Sequence, residues 1–181
     1  MANFYTIGHS NRTIETFLSL LSPAGVALVI DVRTLPRSRF KPQFNTGALA
    51  QSLRGAGIGH RHLPALGGLR HARKDGHPSP NTFWQNGHFR TFADYTATAE
   101  FREGFDELLA LGRAQICAVM CAEADWRHCH RQIITDYLLA AGERVIHIVR
   151  YGCLEEGRLN QAAVCGGDGI ITYPAAQGRL L

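Results

Sequence analysis

One stretch of twelve residues carries most of the side chains that can do chemistry. Residues 120–131 read Met-Cys-Ala-Glu-Ala-Asp-Trp-Arg-His-Cys-His-Arg, and so hold two thiols, two imidazoles, two carboxylates and two guanidiniums. An apolar run precedes this stretch and a helical pattern of apolar residues follows it, which predicts a strand-to-helix connection. Such connections face the ligand crevice of open α/β sheets, and a helix N-terminus favours anions and lowers the pKa of a thiol. This stretch is therefore the predicted site of chemistry.

Cys121 is the first candidate catalytic residue, as a thiolate nucleophile supported by Arg127 or Arg131. Five residues separate Cys121 from Arg127, which is the spacing of the phosphate-binding loop in cysteine phosphatases. Rhodanese-like sulfurtransferases also place a cysteine on such a loop. However, the stretch lacks the glycines that let a loop wrap closely around a phosphate, and a cysteine at a strand end is commonly a small buried residue. Both interpretations stay open.

A metal site is a further alternative. Cys121, Cys129 and His130, with or without His9, offer thiolate and imidazole ligands, which suit zinc or iron. Cys121 and Cys129 lie eight residues apart, unlike the short paired spacing of structural zinc sites. In the structural alternative, Cys129 packs under the helix and His130 caps the helix or binds a carbonyl. The sequence implies no particular cofactor.

Strands and helices are predicted to alternate along the chain. Five apolar segments are typical of strands, at residues 4–7, 26–33, 58–63, 116–120 and 145–149. Helices are expected at residues 14–21, at 46–54, at 91–112 with a break near residue 98, and after the twelve-residue stretch. This alternation predicts a three-layer α/β fold, in which a mainly parallel, twisted, Rossmann-like sheet of about five strands has helices on both faces.

Residues 1–150 are predicted to form this single domain, and residues 151–181 an extension packed on it or trailing from it. Residues 64–90 form a long irregular connection of a kind that often closes over a site. No apolar run reaches the ~18 residues of a membrane span, and no signal peptide is recognisable at the N-terminus. Together with five cysteines that lack a disulfide-like spacing, these features predict a cytoplasmic protein with no membrane partner.

The topology makes a prediction about distant residues. If the first strand is central, the second and fourth strands flank it, and the carboxyl ends of all three meet at one edge of the sheet. The residues that we expect to converge there are His9, Ser10, Asp31, Arg33, Cys121 and Glu123.

Several motifs occur in the order found in one known family. They are Thr6-Ile-Gly-His-Ser-Asn11, Ile30-Asp-Val-Arg33 with Pro36-Arg37-Ser38 and Phe44-Asn45, His62-Leu-Pro64 with Leu66-Gly67-Gly68, and Cys121-Ala-Glu123 with Cys129-His-Arg131. From about residue 3 to residue 150 the chain resembles the domain of unknown function 488 family. The resemblance implies a small bacterial or archaeal α/β protein without an established activity. The motif positions that it carries over are His9, Ser10, Asp31, Arg33, Cys121, Glu123, Cys129, His130 and Arg131.

These observations predict a small enzyme that acts on an anionic substrate containing phosphate, a nucleotide or sulfur. The candidate catalytic residues, with the thiol as nucleophile and the imidazole as acid or base, are Cys121, His9, Glu123 and Asp31. The candidate residues for binding the anion are Ser10, Arg33, Ser38, His130 and Arg131. In a structural alternative, Asp31 pairs with an arginine and holds the loops together.

A non-catalytic module that binds a nucleotide or a nucleic acid is the alternative function. It is based on the formal net charge of +4 and on aromatic residues interleaved with basic loops, since such loops can follow a strand by charge and stacking. The oligomeric state is not predicted.

Overall fold

The computed structural model describes residues 1–72 and 76–175. The strands are β1 (Asn3–Gly8), β2 (Leu28–Asp31), β3 (Gly59–His62), β4 (Cys117–Cys121), β5 (Arg144–Arg150), β6 (Cys153–Glu156), β7 (Val164–Cys165) and β8 (Ile171–Thr172). The α-helices are α1 (Ile14–Leu21), α2 (Thr46–Gly55), α3 (Gly87–Tyr95), α4 (Ala99–Ala114) and α5 (Arg131–Ala140). All five strands predicted from the apolar pattern are present.

Six strands form one sheet in the order β3-β2-β4-β1-β5-β6. Strands β1 to β5 run parallel, and β6 is antiparallel to β5. This arrangement confirms the predicted α/β fold with a mainly parallel sheet. The expected neighbours of β1 were wrong in one respect, because β4 lies between β1 and β2. The side chains of residues 117–120 in β4 are buried, and a central position gives this apolar strand hydrogen-bond partners on both edges.

The two faces of the sheet are covered by different helices. In β4 the side chains alternate: Cys117 and Val119 pack in the core that contains α4 and α5, whereas Ala118 and Met120 pack in the core that contains α1 and α2. This alternation has the period of a β-strand. The result is three layers, with an apolar core on each side of the sheet.

Side-chain caps set several helix boundaries. Thr13 accepts a hydrogen bond from the Thr16 backbone N–H at the start of α1. Thr98 accepts a hydrogen bond from the Phe101 N–H at the start of α4 and so separates α4 from α3 at the predicted break. Within the described ranges, no helix combines the length and the apolarity needed to cross a bilayer.

The chain after residue 150 contributes to the sheet and to the core. Strand β6 extends the sheet, while Ile171 and Tyr173 are buried in the core that contains α4 and α5. The Tyr173 hydroxyl donates a hydrogen bond of 2.8 Å to the buried Asp136 carboxylate. The domain division at residue 150 stays a prediction. Residues 73–75 of the predicted closing loop, and 176–181 of the extension, lie outside the described residues.

Asp136 generates a testable pH dependence. Burial raises the pKa of Asp136 from 3.8 to about 6, although the Asn160 backbone N–H and the Tyr173 hydroxyl donate hydrogen bonds to it. Because the folded state binds this proton more tightly than the unfolded state does, the carboxyl group favours folding more strongly as the pH falls through about 6 toward 4. Relative to Asp136→Asn, the wild-type free energy of unfolding should therefore fall by up to about 3 kcal/mol as the pH rises across this window.

Urea titration of both proteins at several pH values measures this difference. A difference between the two free energies of unfolding that does not change between about pH 4 and pH 7 would contradict the assignment of a raised pKa to Asp136.

Candidate functional site

An open pocket of about 510 Å³ lies at the carboxyl ends of β2 and β4. Its apolar lining is formed by Leu35, Leu69 and Phe89. Five of the predicted site residues line it together with two histidines that the sequence analysis did not single out, His88 and His128. The five are Arg33, Cys121, Glu123, Cys129 and His130.

Two thiols and an imidazole form a compact cluster on the surface of this pocket. Cys121 ends β4, while Cys129 and His130 immediately precede α5. Their three metal-binding atoms lie within 4.8 Å of one another. His130 Nδ1 is 3.9 Å from Cys121 Sγ and 3.6 Å from Cys129 Sγ. His130 Nε2 is 3.0 Å from the Leu66 carbonyl oxygen, which can only accept, so in the neutral ring Nδ1 directs its lone pair at the two sulfurs.

Gly68 makes room for the imidazole ring. A Cβ atom at this position would lie 2.5 Å from His130 Nδ1 and 2.6 Å from its Cγ. On another side, the Phe92 ring packs edge-on against His130, with ring centroids 4.9 Å apart. The backbone from Leu66 to Gly68 therefore sets both the tautomer and the position of the ring. The Leu-Gly-Gly motif was the only sequence signal for this role, and nothing in the pattern linked it to His130.

Arg131 supports the cluster from the protein interior. This guanidinium is 1% exposed; its Nε donates to Cys129 Sγ at 3.2 Å, and its Nη2 donates to the Glu123 carbonyl. Burial opposes ionisation of Cys129, but the hydrogen bond from Cys121 and the charge of Arg131 lower the pKa of Cys129 well below its ordinary value. That same hydrogen bond, together with burial, raises the pKa of Cys121 well above its ordinary value.

These opposite directions make Cys129 the more acidic thiol of the pair. The catalytic role of Cys121 stays a prediction. None of the five cysteines, all of which lie in the described part of the chain, forms a disulfide.

The end of β1 lies against the connection that follows β4. A Cβ atom at Gly8 would lie 1.7 Å from the Glu123 carbonyl oxygen, so only glycine permits this approach. The His9 N–H donates to the Cys121 carbonyl at 3.0 Å, and the Ser10 N–H donates to the next carbonyl at 2.8 Å. Ser10 has a φ of 46°, in the left-handed region that side-chain-bearing residues seldom adopt. The expected convergence of these chain segments is observed.

Arg33 is held by a second buried network. Its Nε donates to Asp31 Oδ1 at 2.9 Å and its Nη2 to Asp31 Oδ2 at 2.6 Å. Nη2 also donates to the Phe44 carbonyl at 2.7 Å, and Nη1 lies 3.3 Å from His9 Nε2. A guanidinium has five N–H donors. These contacts engage four of them, so one Nη1 N–H has no hydrogen-bond acceptor among the described residues. The structural alternative for Asp31, an ion pair with an arginine, is the arrangement observed.

His9 is neutral and orients Arg33. Burial, and to a smaller extent the charge of Arg33, lower the pKa of His9 to about 4. Nδ1 lies 3.1 Å from the Ser10 carbonyl, so Nδ1 carries the proton and Nε2 accepts from Arg33. The ring stacks on Phe44, with centroids 4.4 Å apart. The predicted acid–base role of His9 stays a prediction.

Two residues named in the sequence analysis have other surroundings. The Ser38 hydroxyl accepts hydrogen bonds from the backbone N–H groups of residues 40 and 41. Ser38 lines a separate open pocket, with Arg37 and Arg39, at the start of α2. Arg127 completes the spacing that resembles the cysteine phosphatases. Its guanidinium donates a 2.7 Å hydrogen bond to the carboxylate of Glu155, on the edge strand β6.

Several aromatic residues that motivated the nucleic-acid alternative are packed inside the protein. Phe44 stacks on His9, and the buried Trp84 packs against Tyr173. Phe40, by contrast, is 89% exposed. Nucleic-acid binding stays a prediction.

The fold and the pocket define an α/β protein with a mainly parallel sheet and a Cys–His–Arg site at the strand ends. Residues 13–138, more than two thirds of the chain, match the family described as Domain of unknown function DUF488. The chain belongs to this family, which confirms the resemblance carried by the motifs. No curated protein and no solved structure matches the chain.

Gly68 provides a test of how the imidazole is positioned. We expect Gly68→Ala to displace the His130 ring and to lower the free energy of unfolding by about 1–3 kcal/mol, because the added methyl group overlaps the ring. NMR of the His130 ring protons, together with urea unfolding, measures both effects. Gly55→Ala is the matched control: a Cβ atom there meets nothing within 4 Å, so stability should stay unchanged or rise by up to about 1 kcal/mol. Equal changes in the free energy of unfolding for the two variants would contradict the role of Gly68 in positioning the His130 ring.

Proposed function

We propose that this protein is a small enzyme that acts on an anionic substrate, containing a phosphate, nucleotide or sulfur group, in the pocket at the ends of β2 and β4. One observation carries the proposal: Arg33 and the cluster of Cys121, Cys129 and His130 line the same pocket. A group that orients an anion and side chains that can react with it are thus neighbours.

Arg33 is the proposed anchor for the anion. Asp31, Phe44 and His9 engage four of its five N–H donors and hold the guanidinium rigid. In this proposal, the remaining Nη1 N–H donates to an oxygen of the substrate. A preorganised donor of this kind loses little side-chain entropy on binding.

Two further guanidiniums add positive potential at this end of the sheet. Arg131 donates to a carbonyl and a thiol, and Arg12 donates to the carbonyls of Gly8 and Val149. Within the described parts of the chain, neither Arg12 nor Arg131 has a carboxylate at salt-bridge distance. Arg12 therefore adds positive potential that favours anions, whereas an ionised Cys129 offsets the charge of Arg131.

The apolar lining indicates that the substrate has an apolar part. Leu35 is 72% exposed and Leu69 is 59% exposed, and both line the pocket with Phe89. Exposed apolar side chains that are grouped at a pocket commonly contact a ligand. Phenyl phosphate, which joins an aromatic ring to a dianion, is therefore a suitable probe.

The reactive groups of the proposal are the cluster residues, with Glu123 as the candidate base. Cys121, Cys129 and His130 are the thiol and imidazole residues that line the same pocket as Arg33, and Glu123 lines it with them. Thiols and imidazoles serve as nucleophiles, acids, bases or metal ligands.

Protection of Cys121 from alkylation tests the anion site. In metal-free protein that carries Cys153→Ser and Cys165→Ser, we expect phenyl phosphate to slow the reaction of Cys121 with iodoacetamide, as followed by peptide mass spectrometry. Arg33→Lys should weaken this protection about 10-fold, because a lysine replaces the fixed fork by a single mobile ammonium. Arg39→Lys, outside the pocket, is the matched control, and circular dichroism checks that both variants are folded. Protection by phenol equal to that by phenyl phosphate would rule out an anion site.

Turnover is a separate test. A screen of phosphate esters, nucleotides and sulfur-transfer donors should find a substrate whose turnover falls by about 100-fold or more in His130→Ala and does not change in Cys165→Ser. Anion binding without turnover of any of these classes would instead favour the non-catalytic binding module.

A further inference from the structure

We infer that Cys121, Cys129 and His130 bind one divalent transition-metal ion of the zinc or iron class. This inference deepens the proposed function, since it names the reactive centre of the same pocket. Metal binding can nevertheless be measured without any substrate, so the two ideas can fail separately.

The distances match a tetrahedral site. Zinc lies about 2.3 Å from thiolate sulfur and about 2.0 Å from imidazole nitrogen, so the ligand atoms of a tetrahedral site are about 3.5–3.8 Å apart. His130 Nδ1 is 3.9 Å from Cys121 Sγ and 3.6 Å from Cys129 Sγ. The two sulfurs complete a triangle whose atoms all lie within 4.8 Å of one another. Only small side-chain adjustments separate this arrangement from coordination.

The residues around the cluster make the hydrogen bonds that usually orient the ligands of a metal site. The ring nitrogen of a histidine ligand that does not bind metal usually donates to a carbonyl or carboxylate, and His130 Nε2 makes this contact with the Leu66 carbonyl at 3.0 Å. Arg131 Nε donates to Cys129 Sγ at 3.2 Å, which fixes the sulfur and favours its thiolate form. Two thiolates neutralise a dication, so the Arg131 guanidinium would face no net positive charge.

The donor set and the open side define the class of metal and of site. Two thiolates and one imidazole favour zinc or iron over magnesium or calcium, which prefer oxygen ligands. All three ligand residues line the pocket, which leaves the fourth coordination position to water or substrate. Three protein ligands and one open position are typical of a catalytic site, whereas structural zinc sites have four protein ligands.

Cobalt titration tests the inference. Untagged protein, freed of metal with a chelator, is titrated with Co²⁺ under reducing conditions. We expect one equivalent to bind, with thiolate-to-cobalt charge-transfer absorption and the intense visible bands of tetrahedral cobalt, both of which Zn²⁺ should abolish by displacement. Cys121→Ser and His130→Ala should each weaken binding by about 100-fold or more, beyond the 10- to 100-fold loss typical when an outer hydrogen-bond partner is removed. Cys153→Ser and Cys165→Ser are matched controls that should bind cobalt as the wild type does.

X-ray absorption of the wild-type zinc protein does not depend on the folding of any variant. The expected first coordination shell contains two sulfurs and two nitrogen or oxygen atoms. Failure of the wild type to bind a stoichiometric metal, or a shell without two sulfurs, overturns the metal centre. If no such metal centre is found but phenyl phosphate still protects Cys121 in metal-free protein, the anion site is retained without the metal. If the metal binds as expected but phenyl phosphate gives no protection, the metal centre is retained and the anion site is ruled out.

Discussion

The buried ion pair between Asp31 and Arg33 is the interaction on which the shape of the pocket depends. The Asp31 carboxylate is fully buried at the end of β2, where an unpaired charge would cost several kcal/mol. The Arg33 guanidinium therefore binds this carboxylate through two hydrogen bonds. Its other donors contact the Phe44 carbonyl and the His9 ring. One ion pair thus fastens the connection after β2 and the turn after β1 to the same strand end.

The position of β4 between β1 and β2 is the second constraint. It brings the thiols that follow β4 next to the network that follows β2, since parallel strands end at the same edge of the sheet. The connection from β4 to α5 is held on both sides. Arg131 bonds the Glu123 carbonyl from the interior, and on the edge of the sheet the β6 residue Glu155 accepts hydrogen bonds from Trp126 and Arg127. The chain after residue 150 therefore helps to position the cluster.

These two constraints bring Arg33 and a thiol–imidazole cluster to one pocket. An anionic group bound at Arg33 would lie beside the open side of the cluster, where a bound metal ion can polarise an oxygen or activate a water. The apolar lining around Leu35, Leu69 and Phe89 can receive the remainder of the substrate. In the proposed function, the site would combine electrostatic orientation, Lewis-acid chemistry and apolar recognition, with Glu123 as the candidate base.

The sequence by itself determined the alternation of strands and helices, the break between helices near residue 98, and the location of the chemical groups between β4 and α5. These features depend on local periodicity and on side chains close in sequence, which the pattern reports directly. Only the tertiary structure decided that β4 separates β1 from β2, that the Leu66 carbonyl selects the tautomer of His130, and that Gly68 leaves room for the His130 ring. Each of these depends on contacts between distant parts of the chain and on burial, and neither leaves a periodic signal in the sequence.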